Sequence, residues 1–228
     1  MKKLGLVGGT GPTSTLLYYK GITSIVHKKM GRLPNINIES LSAFDILDFS
    51  NEVNHNHLAE YLLSSFKILK AAGCEIGALT GLTPHIVLSK IRELSPVKIV
   101  SIIDTTMDYV DKIKVQKVGL IGTIPTMRGK FFREAFEEHG IQVITPENDD
   151  MYTIETIIEK ELGNGIINEK SQKELLKIVE KMQDKHQIDS LVLGSTELPL
   201  LFKKTHPELT VIDAMQIHAN VLAEMIMS

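Results

Sequence analysis

The chain carries one pattern twice, and that repeat limits its architecture more than any other feature. Lys3-Leu4-Gly5-Leu6-Val7-Gly8 reads against Lys117-Val118-Gly119-Leu120-Ile121-Gly122, an offset of 114 from position 3 to position 117. Ala78-Leu79-Thr80-Gly81-Leu82-Thr83 reads against Val192-Leu193-Gly194-Ser195-Thr196-Glu197, again offset by 114, from 81 to 195. Val100-Ser101-Ile102-Ile103-Asp104 pairs with Leu209-Thr210-Val211-Ile212-Asp213 at an offset of 109, from 104 to 213. Three matched strand ends in one order predict two similar half-domains, with a ligand cleft between them. Gly81 and Ser195 are expected on opposite walls of that cleft.

Apolar runs of strand length alternate with stretches of helical period, the signature of βα units and a parallel sheet. Strands are predicted near Lys3–Val7, Ile36–Ser40, Ile76–Thr80 and Ile99–Ile103, then near Lys117–Ile121, Gln142–Thr145, Ser190–Leu193 and Thr210–Ile212. Helices are predicted over Asn56–Ala72, with Leu58, Tyr61, Leu62, Ser65, Phe66 and Leu69 on one face, and over Ser171–Lys185, with Ser171 as N-cap and Glu174 three residues on. The fold class is therefore α/β: two pseudo-symmetric parallel-sheet domains, residues 1–103 plus 213–228 and residues 104–212. The helix after Asp213 is expected to pack back on the first domain, because it repeats the element after Asp104.

Composition narrows the function classes. With 25 basic and 28 acidic residues the formal charge is −3. Lys28-Lys29 and Lys203-Lys204 are too short to make a nucleic-acid footprint, so a polyanion partner is not expected. No apolar run reaches the ~18 residues of a membrane span, and Met1-Lys2-Lys3 leads into a short strand rather than a signal peptide, so the expected location is the cytoplasm. The single cysteine, Cys74, lies at a helix-to-strand turn and reads as a structural thiol. His55-Asn56-His57 reads as a solvated helix start, since no cluster with zinc spacing accompanies it.

In open α/β sheets the ligand sits beyond the carboxyl ends of the strands, which directs attention to the loops there. Gly8-Gly9-Thr10-Gly11-Pro12-Thr13-Ser14-Thr15 runs from a strand into a helix and offers backbone N–H groups as an anion seat. It lacks the Gly-x-x-x-x-Gly-Lys and Gly-x-Gly-x-x-Gly patterns, so a carboxylate fits better than a nucleotide; a purely structural glycine turn is the alternative. Gly122-Thr123-Ile124-Pro125-Thr126-Met127 is its counterpart, where Thr123 and Thr126 either donate to a carboxylate or cap the helix. The two loops together suit a dicarboxylate.

These loops, with Thr83-Pro84-His85, Gly194-Ser195-Thr196-Glu197-Leu198-Pro199-Leu200 and Ile212-Asp213-Ala214-Met215-Gln216-Ile217-His218, resemble the aspartate/glutamate racemase family in order along the whole chain. The resemblance implies racemisation of an acidic amino acid with no cofactor, neither pyridoxal phosphate nor metal. It implies a two-base reaction, in which one cysteine from each half flanks the substrate Cα, and a homodimer. Carried over by motif, the family's second thiol, in Gly-Cys-Thr-Glu, falls on Ser195, and its first, in Cys-Asn-Thr-x-His, falls on Gly81. Both thiols are absent, and Leu82 replaces the amide beside the first.

The site residues implied are Ser195, Gly81 and Thr83 for catalysis. Thr10, Asn51, Thr80, Leu82, Thr123, Thr126, Thr196 and Glu197 are implied for substrate binding. A serine hydroxyl is a weak base without an activating neighbour, and Gly81 is expected to leave room for a water or a small side chain. His85 and His218 either orient the site or are packed in the core. Two explanations of Ser195 stand side by side, an exchanged cysteine and a naturally silent site, whereas Gly81-Leu82 reads as divergence. The competing function is a silent binding protein for an acidic amino acid or dicarboxylate, and a nucleotide-binding domain is a more distant third.

Overall fold

A computed structural model describes residues 1–202 and 209–228; Lys203 and Lys204 lie outside the described residues. The chain divides into two compact units, Met1–Thr105 with Met215–Ser228, and Thr106–Ala214.

Unit 1 is built from β1 (Leu4–Gly8), α1 (Pro12–Met30), β2 (Ile36–Ser40), α2 (Ala43–Ser50), α3 (Asn56–Ala71), β3 (Ile76–Leu79), α4 (Leu88–Leu94) and β4 (Lys98–Val100). α5 (Ile102–Ile113) leads out of it. Its sheet is parallel in the order β2-β1-β3-β4. Side chains alternate across a strand, so Leu4 and Leu6 of β1 face one layer and Val7 the other. Leu4 and Leu6 pack with Tyr18, Ile22 and Val26 of α1. Val7 packs with Leu58, Leu62, Phe66 and Leu69 of α3.

Unit 2 repeats the plan with β5 (Lys117–Gly122), α6 (Ile124–Arg128), α7 (Lys130–Glu138), β6 (Gln142–Ile144), α8 (Asn148–Lys160), α9 (Glu169–His186), β7 (Ser190–Gly194) and β8 (Thr210–Asp213). The order β6-β5-β7-β8 is the same, and all its pairings are parallel. The three strands matched by the sequence repeat therefore occupy equivalent positions in the two sheets. The last helix, α10 (Ala214–Met227), belongs to unit 1. Met215, Ala219, Leu222, Ala223 and Ile226, spaced at helical period, fill the α1 layer beside Leu4 and Leu6. Among the described residues no helix is long and apolar enough to cross a membrane.

Two sequence expectations fail locally. The predicted strand Ile99–Ile103 stops at Val100 because Ser101 turns the chain: its hydroxyl accepts the Ile103 N–H at 3.0 Å, an N-cap contact that starts α5. Ser171 is not an N-cap. Asn168 caps α9 by accepting the Lys170 N–H at 3.0 Å, and Ser171 instead donates to Glu161 Oε1 at 2.9 Å.

Candidate functional site

At the end of β1, Gly9 has φ +93°, and a Cβ there would lie 2.0 Å from the Leu41 carbonyl oxygen. Only glycine makes that turn. The loop is tied down from within: the Gly9 N–H donates to Thr15 Oγ1 at 3.0 Å, and the Thr15 and Thr80 hydroxyls meet at 3.1 Å. Ser14 donates to the Thr80 carbonyl at 2.7 Å, which ties α1 to the end of β3. Thr80 is fully buried, with its hydroxyl engaged by Thr15, so it braces the loop from behind.

Gly81 follows, and Thr10 lies against it. A Cβ on Gly81 would meet Thr10 Cβ at 3.1 Å and its Cγ2 and Oγ1 at 3.3 Å. A side chain added at Gly81 would press on Thr10, which would have to give by a few tenths of an ångström. Leu82 and Thr83 are buried, Thr83 opening a short 3-10 turn to Val87. Asn51 lies exposed at the C-terminal end of α2 and takes part in none of these hydrogen bonds.

Behind the Gly81 loop stand two histidines, both packed in the core. His85 Nδ1 faces the carbonyls of Gly81 at 2.9 Å and Leu82 at 3.2 Å. A carbonyl only accepts, so Nδ1 carries the proton and donates. Nε2 is then a bare acceptor, and it has no partner among the described residues. His218 Nε2 donates to the Val100 carbonyl at 3.1 Å, which leaves Nδ1 to accept the Tyr18 hydroxyl at 2.8 Å. Burial pushes His85 down to about 4. Burial, with a smaller contribution from His85, pushes His218 down to about 3. Both rings are neutral at pH 7. Cys74 is also buried, and desolvation raises its thiol, opposite to what a reactive cysteine needs.

In unit 2, Ser195 follows β7 directly. Its hydroxyl donates to Glu197 Oε2 at 2.7 Å, and Thr196 Oγ1 donates to the same oxygen at 3.0 Å. All three residues are buried, at 6%, 5% and 7% exposure for Ser195, Thr196 and Glu197. The i to i+2 spacing meets because Glu197 begins the 3-10 turn Leu198–Leu200, where the Leu200 N–H reaches the Glu197 carbonyl at 3.0 Å. Glu197, expected from the resemblance to bind substrate, instead accepts two hydrogen bonds from its own loop.

At the end of β5, the hydroxyls of Thr123 and Thr126 meet at 3.1 Å. Neither caps α6. The Ile124 N–H is taken at 2.7 Å by Glu155 Oε2, from α8. Glu155 escaped the sequence reading, since it stands 31 residues beyond Ile124 and no local pattern joins them. Desolvation pushes its carboxyl above the ordinary range, against the lowering effect of the Ile124 N–H and with a small rise from Glu159.

The structure thus groups Thr10 with Gly81, Thr123 with Thr126, and Ser195 with Thr196 and Glu197. Two sheets of one topology, each with hydroxyl-rich loops beyond equivalent strands, can be compared with known proteins. A family model described as Asp/Glu/Hydantoin racemase matches residues 7–222. An aspartate racemase homologue from Pyrococcus horikoshii superposes with TM-score 0.86 at 33% identity, covering 100% of both chains. A protein from Yersinia pestis described as a "putative Asp/Glu Racemase" gives 0.88 at 30%, also over 100% of both. An aspartate racemase from Picrophilus torridus shares the fold, at TM-score 0.79 and 18% identity over 99% of this chain and 94% of that one. By sequence along its length and by fold, the chain belongs to the Asp/Glu/hydantoin racemase family.

Proposed function

We propose that this protein binds an acidic amino acid and exchanges the proton on its Cα without a cofactor, as an isomerase of the aspartate/glutamate racemase kind. The observation that carries the reading is the hydrogen bond from Ser195 to Glu197, at the family's second thiol position. A hydroxyl that lacks an activating neighbour is inert toward a carbon acid, and this one has a carboxylate at 2.7 Å. Ser195 is assigned to the Cα proton. The hydroxyls of Thr123 and Thr126, which meet at 3.1 Å, are assigned as donors to a ligand carboxylate.

A second reading, a binding protein without chemistry, is favoured by unit 1, where Gly81 brings no side chain and Thr10 packs against it. Incubation with aspartate and glutamate in heavy water, with calorimetry against asparagine and glutamine, separates the two. Deuterium at Cα supports the enzyme, and tighter binding of the acids without deuterium supports the silent protein. Equal or absent binding of all four removes both.

A further inference from the structure

We infer that Ser195 and Glu197 form a one-sided proton relay, so that the chain exchanges the Cα proton mainly with retention of configuration. The inference rests on the amino-acid reading above and goes past it in naming the terminal base and the stereochemical course.

The geometry specifies the direction of proton flow. Ser195 and Thr196 both donate to Glu197 Oε2, at 2.7 and 3.0 Å, so that oxygen serves as acceptor for both. With its own proton directed to Glu197, Ser195 Oγ presents lone pairs to whatever approaches it. In the relay the substrate Cα–H bond breaks and its proton passes to Ser195 Oγ. The Ser195 O–H bond breaks in the same step, and that proton passes to Glu197 Oε2. The electron pair stays on Cα and spreads into the substrate α-carboxylate. Reversal returns a proton by the same route, and exchange of the Glu197 proton with solvent makes it a deuteron in heavy water.

Inversion needs a second acid on the opposite face of Cα. The relay takes the proton and returns it through one oxygen, Ser195 Oγ, and so works on one face only. The Ser195, Thr196 and Glu197 group brings no such second acid. Exchange therefore outruns inversion.

The test supplies one enantiomer in heavy water and follows deuterium at Cα by NMR and configuration by chiral chromatography, with calorimetry reporting binding. The parent is expected to deuterate the supplied enantiomer well before its mirror image forms. Glu197→Gln and Ser195→Ala are each expected to slow exchange by about 100-fold or more, the low end of what one positioned acid/base group contributes, with ligand affinity changed far less. Glu197→Ala is expected to regain exchange when formate is added, a rescue that a merely structural carboxylate would not give. Glu197→Asp, which keeps the charge, provides a second variant if the glutamine form does not fold.

Deuterium incorporation no faster than racemisation in the parent would overturn the inference. So would binding without any exchange, or a Glu197→Gln variant that exchanges at the parental rate. Failure of the underlying reading is distinct, because the parent would then bind no amino acid.

Discussion

The loops after β3 and β7 sit on equivalent strands and have diverged in opposite ways. After β3 the chain places Gly81, Leu82 and Thr83 in a buried turn, with Thr10 packed against Gly81 and the His85 imidazole donating to the turn's carbonyls. After β7 it places two hydroxyls on one buried carboxylate. The first loop is held by packing and by bonds to its own backbone. The second is held by an ionisable side chain that also accepts protons. A duplicated scaffold thus keeps the strand order while the loops beyond equivalent strands differ in what holds them.

The widest separation between the two units is expected in acid. His85 and His218, in unit 1, have folded-state values of about 4 and about 3 against an ordinary 6.5. The unfolded chain binds their protons first, so their contribution to stability is complete above 6.5. It is lost as pH falls from there toward 4 and 3, with a slope approaching about 1.4 kcal/mol per pH unit for each. Glu155, in unit 2, has the opposite sign: its raised value favours the folded state as pH falls and the contribution is lost as pH rises through it. Hydrogen exchange read peptide by peptide at pH 7 and pH 5, corrected for intrinsic rates, should show unit 1 weakening first. Equal weakening of both units would break the contrast.

The next test places sulfur at position 195, in the loop after β7. Ser195→Cys is expected to raise Cα exchange by about 100-fold, since a thiol loses its proton far more readily than a hydroxyl. If the variant exchanges no faster than the parent, binding without chemistry becomes the better account.

A third test probes the filled side. Gly81→Ala is expected to cost about 1–3 kcal/mol in denaturant unfolding, the usual penalty for an overpacked position. Thr10→Gly in the same chain should recover part of it, giving a coupling of about 0.5–3 kcal/mol. Independent, additive effects would mean that Thr10 does not fix the space at Gly81. The smallest effect is expected at Glu155. Glu155→Gln can still accept the Ile124 N–H and should shift stability by less than about 1 kcal/mol, whereas Glu155→Ala, which leaves that donor without its acceptor, should cost about 1–3 kcal/mol.

Local periodicity made most of the fold legible. The strand Ile36–Ser40 ends where the sequence places it, and Ile76–Thr80 and Gln142–Thr145 are each one residue too long. The failures come where a side chain competes with the pattern: Ser101 caps a helix inside an apolar run, and Asn168 starts α9 before Ser171. The Ser195-Thr196-Glu197 group was legible because its members are adjacent. Glu155 at Ile124 and Thr10 at Gly81 were not, since they meet only after distant segments pack. The histidine tautomers were also hidden, because they follow from carbonyls that the fold brings to each ring.

The return of α10 to unit 1 has a bearing on how the chain is made. Unit 2 is contiguous, and all its strands have left the ribosome before Met215 does. Unit 1 begins first, yet Leu4, Leu6 and Tyr18 wait for Met215, Ala219, Leu222, Ala223 and Ile226 to complete the layer that covers them. The later-translated unit is therefore positioned to fold first, while the earlier one holds an open apolar layer until α10 is made. A chaperone that grips nascent apolar surface would find it on α1 and β1, and would be displaced by α10 once that helix emerges.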